Sequence, residues 1–184
     1  ITATKSYEEE QVSGEVEAVQ ITVKGLNGGH SGMDIIKGLG NANKLMNRIL
    51  YNCFREADSR IAEVNGGGLR NAIPRESTAS VVIGKENKSE FEKAFEFIKT
   101  SIETEFKSLE KNLSITKEVI STPEKVMTKE AQAEVLKALY TAHNGVFRMS
   151  PDIEDLVETS NNVAKVSIAN GKAEVSCLTR SSVE

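Results

Sequence analysis

The sequence is poor in the residue types that form metal sites and disulfides, and it has no long apolar run. Its 184 residues contain no tryptophan, three prolines, two cysteines and two histidines. With only His30 and His143, and no cysteine or carboxylate cluster at ligand spacing, the chain is not expected to hold zinc. No apolar run approaches the roughly 18 residues that span a membrane. No Ser/His/Asp or Cys/His arrangement indicates nucleophilic catalysis.

Charge and cysteine use favour a cytoplasmic protein that has neither nucleic acid nor membrane as a partner. The formal net charge is −4, with acidic and basic residues interspersed, so no basic patch is available for nucleic acid or an anionic membrane surface. Cys53 and Cys177 each lie inside a periodic apolar pattern. We therefore expect two buried thiols in a reducing compartment rather than a disulfide.

The first 120 residues contain two kinds of apolar pattern. Period-two strand patterns lie at residues 16–24, 60–64, 77–83 and 113–119, and helical periods lie at 35–53 and 89–106. Ser89 and Glu92 form a capping box for the second helix, and Gly66-Gly67-Gly68 is expected to end the second strand. The order strand, helix, strand, strand, helix, strand predicts an α+β fold, namely a ferredoxin-like antiparallel sheet with helices on one face.

The remaining residues partly repeat this pattern. A helix is expected at 129–143, a short strand at 146–149, an acidic loop at 151–159, and strands at 163–168 and 172–180 around the hairpin signal Asn170-Gly171. We therefore divide the chain into a polar lead-in (1–14), a split βαβ unit (15–120) and an incomplete second unit (121–184). Ser181 and Glu184 form a further capping box, so we expect the chain to be cut from a longer protein where a helix begins.

Three residues, His30, Asn71 and Arg180, lie at strand ends or in glycine-rich turns where backbone can closely approach a ligand. His30 lies between Gly29 and Gly32 and is either a plain turn histidine or a functional group. A phosphate cradle at a helix N-terminus is a third interpretation. No lysine follows the glycines, as a P-loop requires, and Asp34 would repel an anion.

Asn71 and Arg180 also have plain structural explanations. Asn71 could bond nearby backbone in a turn, and the adjacent Arg70 could be the functional residue instead. Pro74 restricts Ile73 to extended geometry, which favours a fixed exit from this loop. Arg180 lies on the last strand pattern, where an ion pair on the sheet face is the simpler explanation. The residues alone leave these alternatives open.

Four stretches of the chain carry a family resemblance. They are VKGLNGGHSGMDIIKGLGNANKL, GGGLRNAIP, SPDIEDLVETSNN and SCLTRSSVE. Together and in this order they resemble the lid domain of bacterial aminoacyl-histidine dipeptidases, zinc metallopeptidases of the group that includes carnosinase and aminoacylase. The resemblance covers residues 16–184. The combination is specific, whereas any single stretch would not be.

The resemblance implies a lid (15–184) inserted into a catalytic domain that binds two zinc ions and is absent here, with residues 1–14 leading in from that domain. His30 matches the lid histidine that stabilises the oxyanion. Asn71 and Arg180 match the residues that bind the C-terminal carboxylate of a dipeptide of Xaa-His type. The implied partners are the dipeptide, the chain's own catalytic domain and a second copy in a homodimer. The chain by itself is expected to be inactive.

The alternative function is a non-catalytic ferredoxin-like module for binding or dimerisation. It would explain the fold and the lack of metal ligands, but not three separate motifs in the order of the lid. In smaller relatives the lid histidine serves the partner's active site, and the sequence leaves open whether the second unit replaces that partner here. His143 lies outside every matching stretch and is interpreted as a helix-end histidine with a structural role.

Overall fold

The computed structural model describes residues 1–183, which contain twelve strands and three α-helices. The strands are β1 (Thr2–Ser6), β2 (Glu9–Gln11), β3 (Val16–Lys24), β4 (Gly29–His30), β5 (Arg60–Gly67), β6 (Ala72–Ile73), β7 (Ser77–Gly84), β8 (Ser114–Ile120), β9 (Lys125–Met127), β10 (Gly145–Met149), β11 (Val157–Ala169) and β12 (Lys172–Ser181). The α-helices are α1 (Ala42–Ala57), α2 (Lys88–Phe106) and α3 (Lys129–Thr141). None of these helices is long and apolar enough to cross a membrane.

The first part of the chain forms the expected ferredoxin-like unit. Strands β5, β7, β3 and β8 lie side by side in that order, and every neighbouring pair is antiparallel. Helix α1 connects β3 to β5, and α2 connects β7 to β8. The prediction of an α+β fold with an antiparallel sheet is therefore confirmed.

The second unit adds its strands to the same sheet. Strand β11 pairs with β5, from Ile168↔Val64 to Lys165↔Gly67, and β12 and β1 follow beyond it. The order of the main path is β1-β12-β11-β5-β7-β3-β8, with β10 beside β11. At the β11–β12 turn, Asn170 and Gly171 have φ of 51° and 72°. These are left-handed values of the kind that a type I′ hairpin requires, as the Asn-Gly pair predicts.

One apolar core joins the three helices to one face of the sheet. Helix α1 lies centrally and contacts α2, α3 and four strands of the sheet. The side chains that are almost completely buried include Ile21, Met46, Ile49, Ile61, Phe91, Phe95, Ile102, Ile115, Leu136 and Ile168. Each such side chain contributes about 1.5–3 kcal/mol by leaving water. On the opposite face, Val126 of β9 forms a small cluster with Ala18 of β3 and Val82 of β7.

Helix α1 begins later than the apolar period predicts. The period starts near residue 35, but residues 35–37 form only a 3-10 turn that ends at Gly38 with φ of 66°. The helix starts at Ala42, where the Asn41 side chain accepts hydrogen bonds from the N–H groups of Asn43 and Lys44. The left-handed glycine stops the first turn, and the asparagine cap starts the next helix.

Strand β5 continues through Gly66 and Gly67, where the sequence predicts a break. A Cβ on Gly66 would lie 2.0 Å from Asn43 Oδ1, and one on Gly67 would lie 1.9 Å from the Ala164 carbonyl oxygen. Gly66 and Gly67 are needed here because α1 and β11 approach the strand closely. The strand ends at Gly67, inside the glycine triplet but three residues beyond the predicted end at residue 64.

Residues 1–14, expected to be a polar lead-in, contribute strands to the fold. Strand β1 pairs with β12 from Thr2↔Ser176 to Ser6↔Lys172, and β2 pairs with β9. The capping box at 181–184 ends at Glu184, and a helix there lies outside the described residues.

Both cysteines are free thiols. Cys53 is buried, as expected, and burial raises its pKa to about 12. Cys177 is only partly buried, which differs from the expectation of two buried thiols.

Candidate functional site

A short two-stranded ladder places His30 next to the loop that carries Asn71. Strand β4 pairs with β6 through His30↔Ala72. The N–H of the following residue, Ser31, donates to the Asn71 carbonyl oxygen over 2.8 Å. The backbones at His30 and Asn71 are therefore held side by side, although 40 residues separate them in sequence.

The turn around His30 fixes both its backbone and its ring. The His30 N–H donates to Asp34 Oδ2 over 2.7 Å. Nδ1 of the ring accepts from the N–H groups of Gly32 and Met33, both at 3.2 Å. Because a ring nitrogen that accepts carries no proton, this network assigns the neutral tautomer with its proton on Nε2. Nε2–H is then the donor that the ring can offer to a ligand.

His30 and Arg180 meet at Gly32. A Cβ built on Gly32 would lie 3.1 Å from Arg180 Nε and 3.2 Å from His30 Cε1. Any larger residue at this position would press against both groups. The imidazole is half-buried and the guanidinium is exposed. This glycine therefore allows two chemically useful side chains, 150 residues apart in the sequence, to lie close together.

The loop that carries Asn71 is attached to β11 by Asn162. Nδ2 of Asn162 donates to the Ala72 carbonyl oxygen over 2.8 Å and to the Arg70 carbonyl oxygen over 3.3 Å. Strand β11 pairs in turn with β12, which carries Arg180. The structure therefore brings all three sequence-predicted residues to connected segments, His30 and Asn71 through the β4–β6 ladder and Arg180 through β12.

The exposed polar side chains at the site differ in the contacts that they make. Asn71, Arg70 and Arg180 are all exposed. Arg70 Nη2 donates to Thr2 Oγ1 over 2.9 Å, which gives it a contact with β1. Within residues 1–183, the ion pair that would be the simpler explanation for Arg180 is not found.

The turn at His30 is not built as a phosphate cradle. The N–H groups of residues 30–33 each donate to a protein acceptor: Asp34 Oδ2, the Asn71 carbonyl and His30 Nδ1. A hydrogen bond from Lys37 and one from the His30 amide hold the pKa of Asp34 below its ordinary value, so a carboxylate stays at this turn. The turn leads into a 3-10 turn and not into the N-terminus of an α-helix. The phosphate interpretation is therefore wrong.

His143 lies two residues beyond the end of α3. Its ring packs edge-on against Phe147, with ring centroids 5.4 Å apart, and its carbonyl oxygen accepts from Asn161 Nδ2 over 2.6 Å. These contacts are those of a residue that connects a helix end to the sheet.

The described residues of the site offer hydrogen-bond donors, but they include no group of side chains that could together bind a metal ion. Among residues 1–183, no group of three or more His, Cys, Asp or Glu side chains could hold a metal ion. The described residues therefore do not fit a zinc centre. An imidazole N–H, a guanidinium and an amide suit instead a ligand with carbonyl and carboxylate oxygens.

Asn162 is the residue of this region to which the sequence alone assigns no role. It lies in the stretch SPDIEDLVETSNN, as the second of two consecutive asparagines. Asparagine is disfavoured inside strands, so two consecutive asparagines before the apolar alternation of this strand were the available signal. The sequence gives no indication, however, that the side chain would point to a loop 90 residues away.

Known proteins match both the fold and the sequence of this chain. Residues 21–110 match the peptidase dimerisation domain. The chain is 34% identical over 183 residues to the cytosol non-specific dipeptidase of Escherichia coli (strain K12), covering 100% of this chain and 38% of that protein. It matches the crystal structure of aminoacylhistidine dipeptidase from Vibrio alginolyticus with a TM-score of 0.95 and 37% identity, over 100% of this chain and 37% of that one.

The two kinds of match cover different parts of the site. The dimerisation-domain segment contains His30 and Asn71, whereas Arg180 lies beyond it and inside the full-length matches. The chain spans less than two fifths of the length of either dipeptidase. Residues 21–110 are thus similar to the peptidase dimerisation domain, and the chain as a whole is similar in sequence to part of two dipeptidases.

Proposed function

We propose that this chain is the lid domain of a dipeptidase that hydrolyses dipeptides of Xaa-His type. In this proposal the lid binds the substrate's C-terminal carboxylate and stabilises the oxyanion. The observation that carries it is the approach of the His30 ring and the Arg180 guanidinium at Gly32, beside the backbone of Asn71. The names of the two relatives, a non-specific dipeptidase and an aminoacylhistidine dipeptidase, support the substrate class.

Arg180 and Asn71 suit a free carboxylate, the group that marks the end of a dipeptide. A guanidinium presents parallel N–H donors that match the two carboxylate oxygens, and the positive charge strengthens both bonds. The Asn71 amide adds a neutral donor from the neighbouring loop. Both side chains are exposed, so a substrate can reach them.

His30 suits the carbonyl oxygen of the bond that is cleaved. When water adds to that carbonyl carbon, negative charge develops on the oxygen, and a donor already in position lowers the barrier. The Gly32 and Met33 amides hold Nδ1 and leave the proton on Nε2. The ring is therefore oriented before the substrate arrives.

The remaining machinery is proposed to lie outside this chain. We place two zinc ions in a catalytic domain, since residues 1–183 contain no cluster that could hold them. Closure of the lid over that domain would exclude water from the site. A homodimer through the lid is supported by the description of the matching family, and a cytoplasmic location by the name of the Escherichia coli relative.

Arg180→Ala in the complete enzyme tests carboxylate recognition. Loss of a charged hydrogen-bonding partner should cost about 2–3 kcal/mol in kcat/KM for a dipeptide with a free carboxylate. The same dipeptide as its C-terminal amide should be much less sensitive to the substitution. Arg70→Ala is the matched control: it removes a neighbouring exposed arginine that contacts Thr2, and it should not discriminate between acid and amide. Equal losses on acid and amide in Arg180→Ala would mean that Arg180 supports the fold instead.

A further inference from the structure

We propose that Asn162 is a positioning residue for carboxylate recognition: it fixes the loop that presents Asn71 to the substrate. This inference rests on the proposed function and adds a residue that lies outside the matched dimerisation-domain segment. Asn162 is 0% exposed, so it cannot contact the substrate and acts through the loop.

The carbonyl groups of three consecutive residues in this loop are all held. Those of Arg70 and Ala72 accept from Asn162 Nδ2, and that of Asn71 accepts from the Ser31 N–H. Fixing the peptide groups on both sides of a residue fixes the direction of its Cα–Cβ bond. The Asn71 side chain therefore leaves the backbone in a defined direction, even though the side chain itself is exposed.

The oxygen of the Asn162 amide also has a hydrogen-bond partner. Its Oδ1 accepts from Asn41 Nδ2 over 3.2 Å, and Asn41 is the cap of α1 and is 3% exposed. Asn41 Nδ2 also lies 2.8 Å from Asn144 Oδ1 and 3.1 Å from the Val163 carbonyl oxygen. The Asn162 side chain is thus oriented with its oxygen toward α1 and its nitrogen toward the loop.

The strand is also deformed where this side chain leaves it. Directly after Asn162, the β11–β12 register shifts between Val163 and Lys165, and both Val163 and Ala164 are completely buried. A bulge of this kind changes the direction of side chains along a strand. Across the ladder Asn162 pairs with Leu178, two residues before Arg180. Asn162 therefore connects the loop of Asn71 to the strand pair that carries Arg180.

The chemistry of this position requires an amide. Two carbonyl oxygens face Nδ2 and one N–H donor faces Oδ1, so donor and acceptor must stand on the same planar group. A carboxylate at this position would face two carbonyl oxygens without a proton to donate. Asn162→Asp keeps the size of the side chain and should release or displace the loop.

The test compares Asn162→Asp and Asn162→Ser with Gln132→Ala in the complete enzyme, using a dipeptide acid and its C-terminal amide. Both Asn162 variants should raise KM for the acid about 10- to 100-fold, because a misplaced binding group costs that much, with a much smaller change for the amide. Gln132 is a matched control: it is also 0% exposed and its amide bonds two backbone groups, but it joins α3 to β5. Gln132→Ala should lower the melting temperature and leave both KM values unchanged.

Further measurements separate a positioning role from a structural one. In an Asn71→Ala background, Asn162→Ser should add little to KM for the acid, since the group that it positions is already gone. If Asn162→Asp does not fold, Asn162→Ser gives the same readout without introducing a buried charge.

A lower melting temperature with unchanged KM in both variants, or equal effects on acid and amide, overturns the inference. If Arg180→Ala discriminates acid from amide and the Asn162 variants do not, the inference fails and the proposed function stands. If Arg180→Ala does not discriminate, both fail.

Discussion

Two backbone N–H groups donate to the same ring nitrogen of His30 and so decide which ring nitrogen carries the proton that the residue can donate. Because Gly32 and Met33 both donate to Nδ1, the ring keeps its proton on Nε2 without a carboxylate partner on the ring. A neutral donor of this kind strengthens its bond as charge develops on the substrate oxygen. Within the proposed function, His30 should therefore act on the transition state more than on the bound dipeptide.

His30→Ala in the complete enzyme should lower kcat by roughly 10²–10³-fold, about 2.7–4 kcal/mol, as for other single oxyanion donors. KM should change little, because the ground state loses less than the transition state. Steady-state kinetics check this on protein whose folding and metal content equal those of the unchanged enzyme. A kcat that stays within about threefold would exclude the oxyanion role.

The same variant also shows which subunit His30 serves. His30→Ala is mixed with a second variant whose metal site has been destroyed, under conditions in which subunits exchange. Activity that returns in mixed dimers would place His30 in the partner's active site. No return of activity would indicate a lid that serves its own chain.

At the scale of helices and strands, buried amides connect elements that are far apart in sequence. Gln132 on α3 accepts from the Ile61 N–H over 2.6 Å and donates to the Ser59 carbonyl oxygen over 2.8 Å. It replaces backbone partners that the start of β5 lacks at this point. Helix α3 is thus attached to the first unit by specific polar bonds as well as by apolar packing.

Gln132→Ala should lower the free energy of unfolding by about 2–4 kcal/mol, because it leaves a buried N–H and a buried carbonyl unpaired and opens a cavity. Urea unfolding followed by circular dichroism measures this. Lys137→Ala, at an exposed position of the same helix, should change the value by no more than about 0.5 kcal/mol. A similar small loss in Gln132→Ala would mean that the amide bonds of α3 do not stabilise the fold.

The elements that the sequence predicts well are those whose patterns are local. The alternation of β3, the Asn-Gly turn before β12 and the apolar stripe of α2 are each decided by neighbouring residues. Helix α1 starts later than predicted because Gly38 has a left-handed φ of 66° and Asn41 caps the helix that follows. Strand β5 is longer than predicted because Gly66 and Gly67 allow α1 and β11 to approach it closely. The capping box at Ser89 is not used, since α2 already begins at Lys88.

For the site, sequence motifs point to His30, Asn71 and Arg180 but not to what joins them. The meeting at Gly32 joins His30 and Arg180, which are 150 residues apart, and the bonds of Asn162 span 90 and 92 residues. Such contacts are decided by the whole sheet and leave no local pattern.

At the scale of the whole chain, one sheet and one main core include both units. Purified residues 1–184 should therefore unfold in a single cooperative transition. By the proposed function, the same material should bind no stoichiometric zinc and hydrolyse no dipeptide. Elemental analysis and an assay with Xaa-His dipeptides check this. One or two tightly bound metal ions per chain, together with dipeptidase activity, would contradict the assignment as a lid.

The pairing of β1 with β12 has a mechanical consequence. Residue 1 is bonded in both directions to Cys177, and the chain leaves the sheet only a few residues later. A pulling force applied to residues 1 and 183 therefore acts at the same end of the β1–β12 ladder. It would load the hydrogen bonds one pair at a time, as in unzipping, and not all together, as in shear. This corner of the sheet is consequently where the domain should yield first under tension, and it includes the end of β12 that carries Arg180.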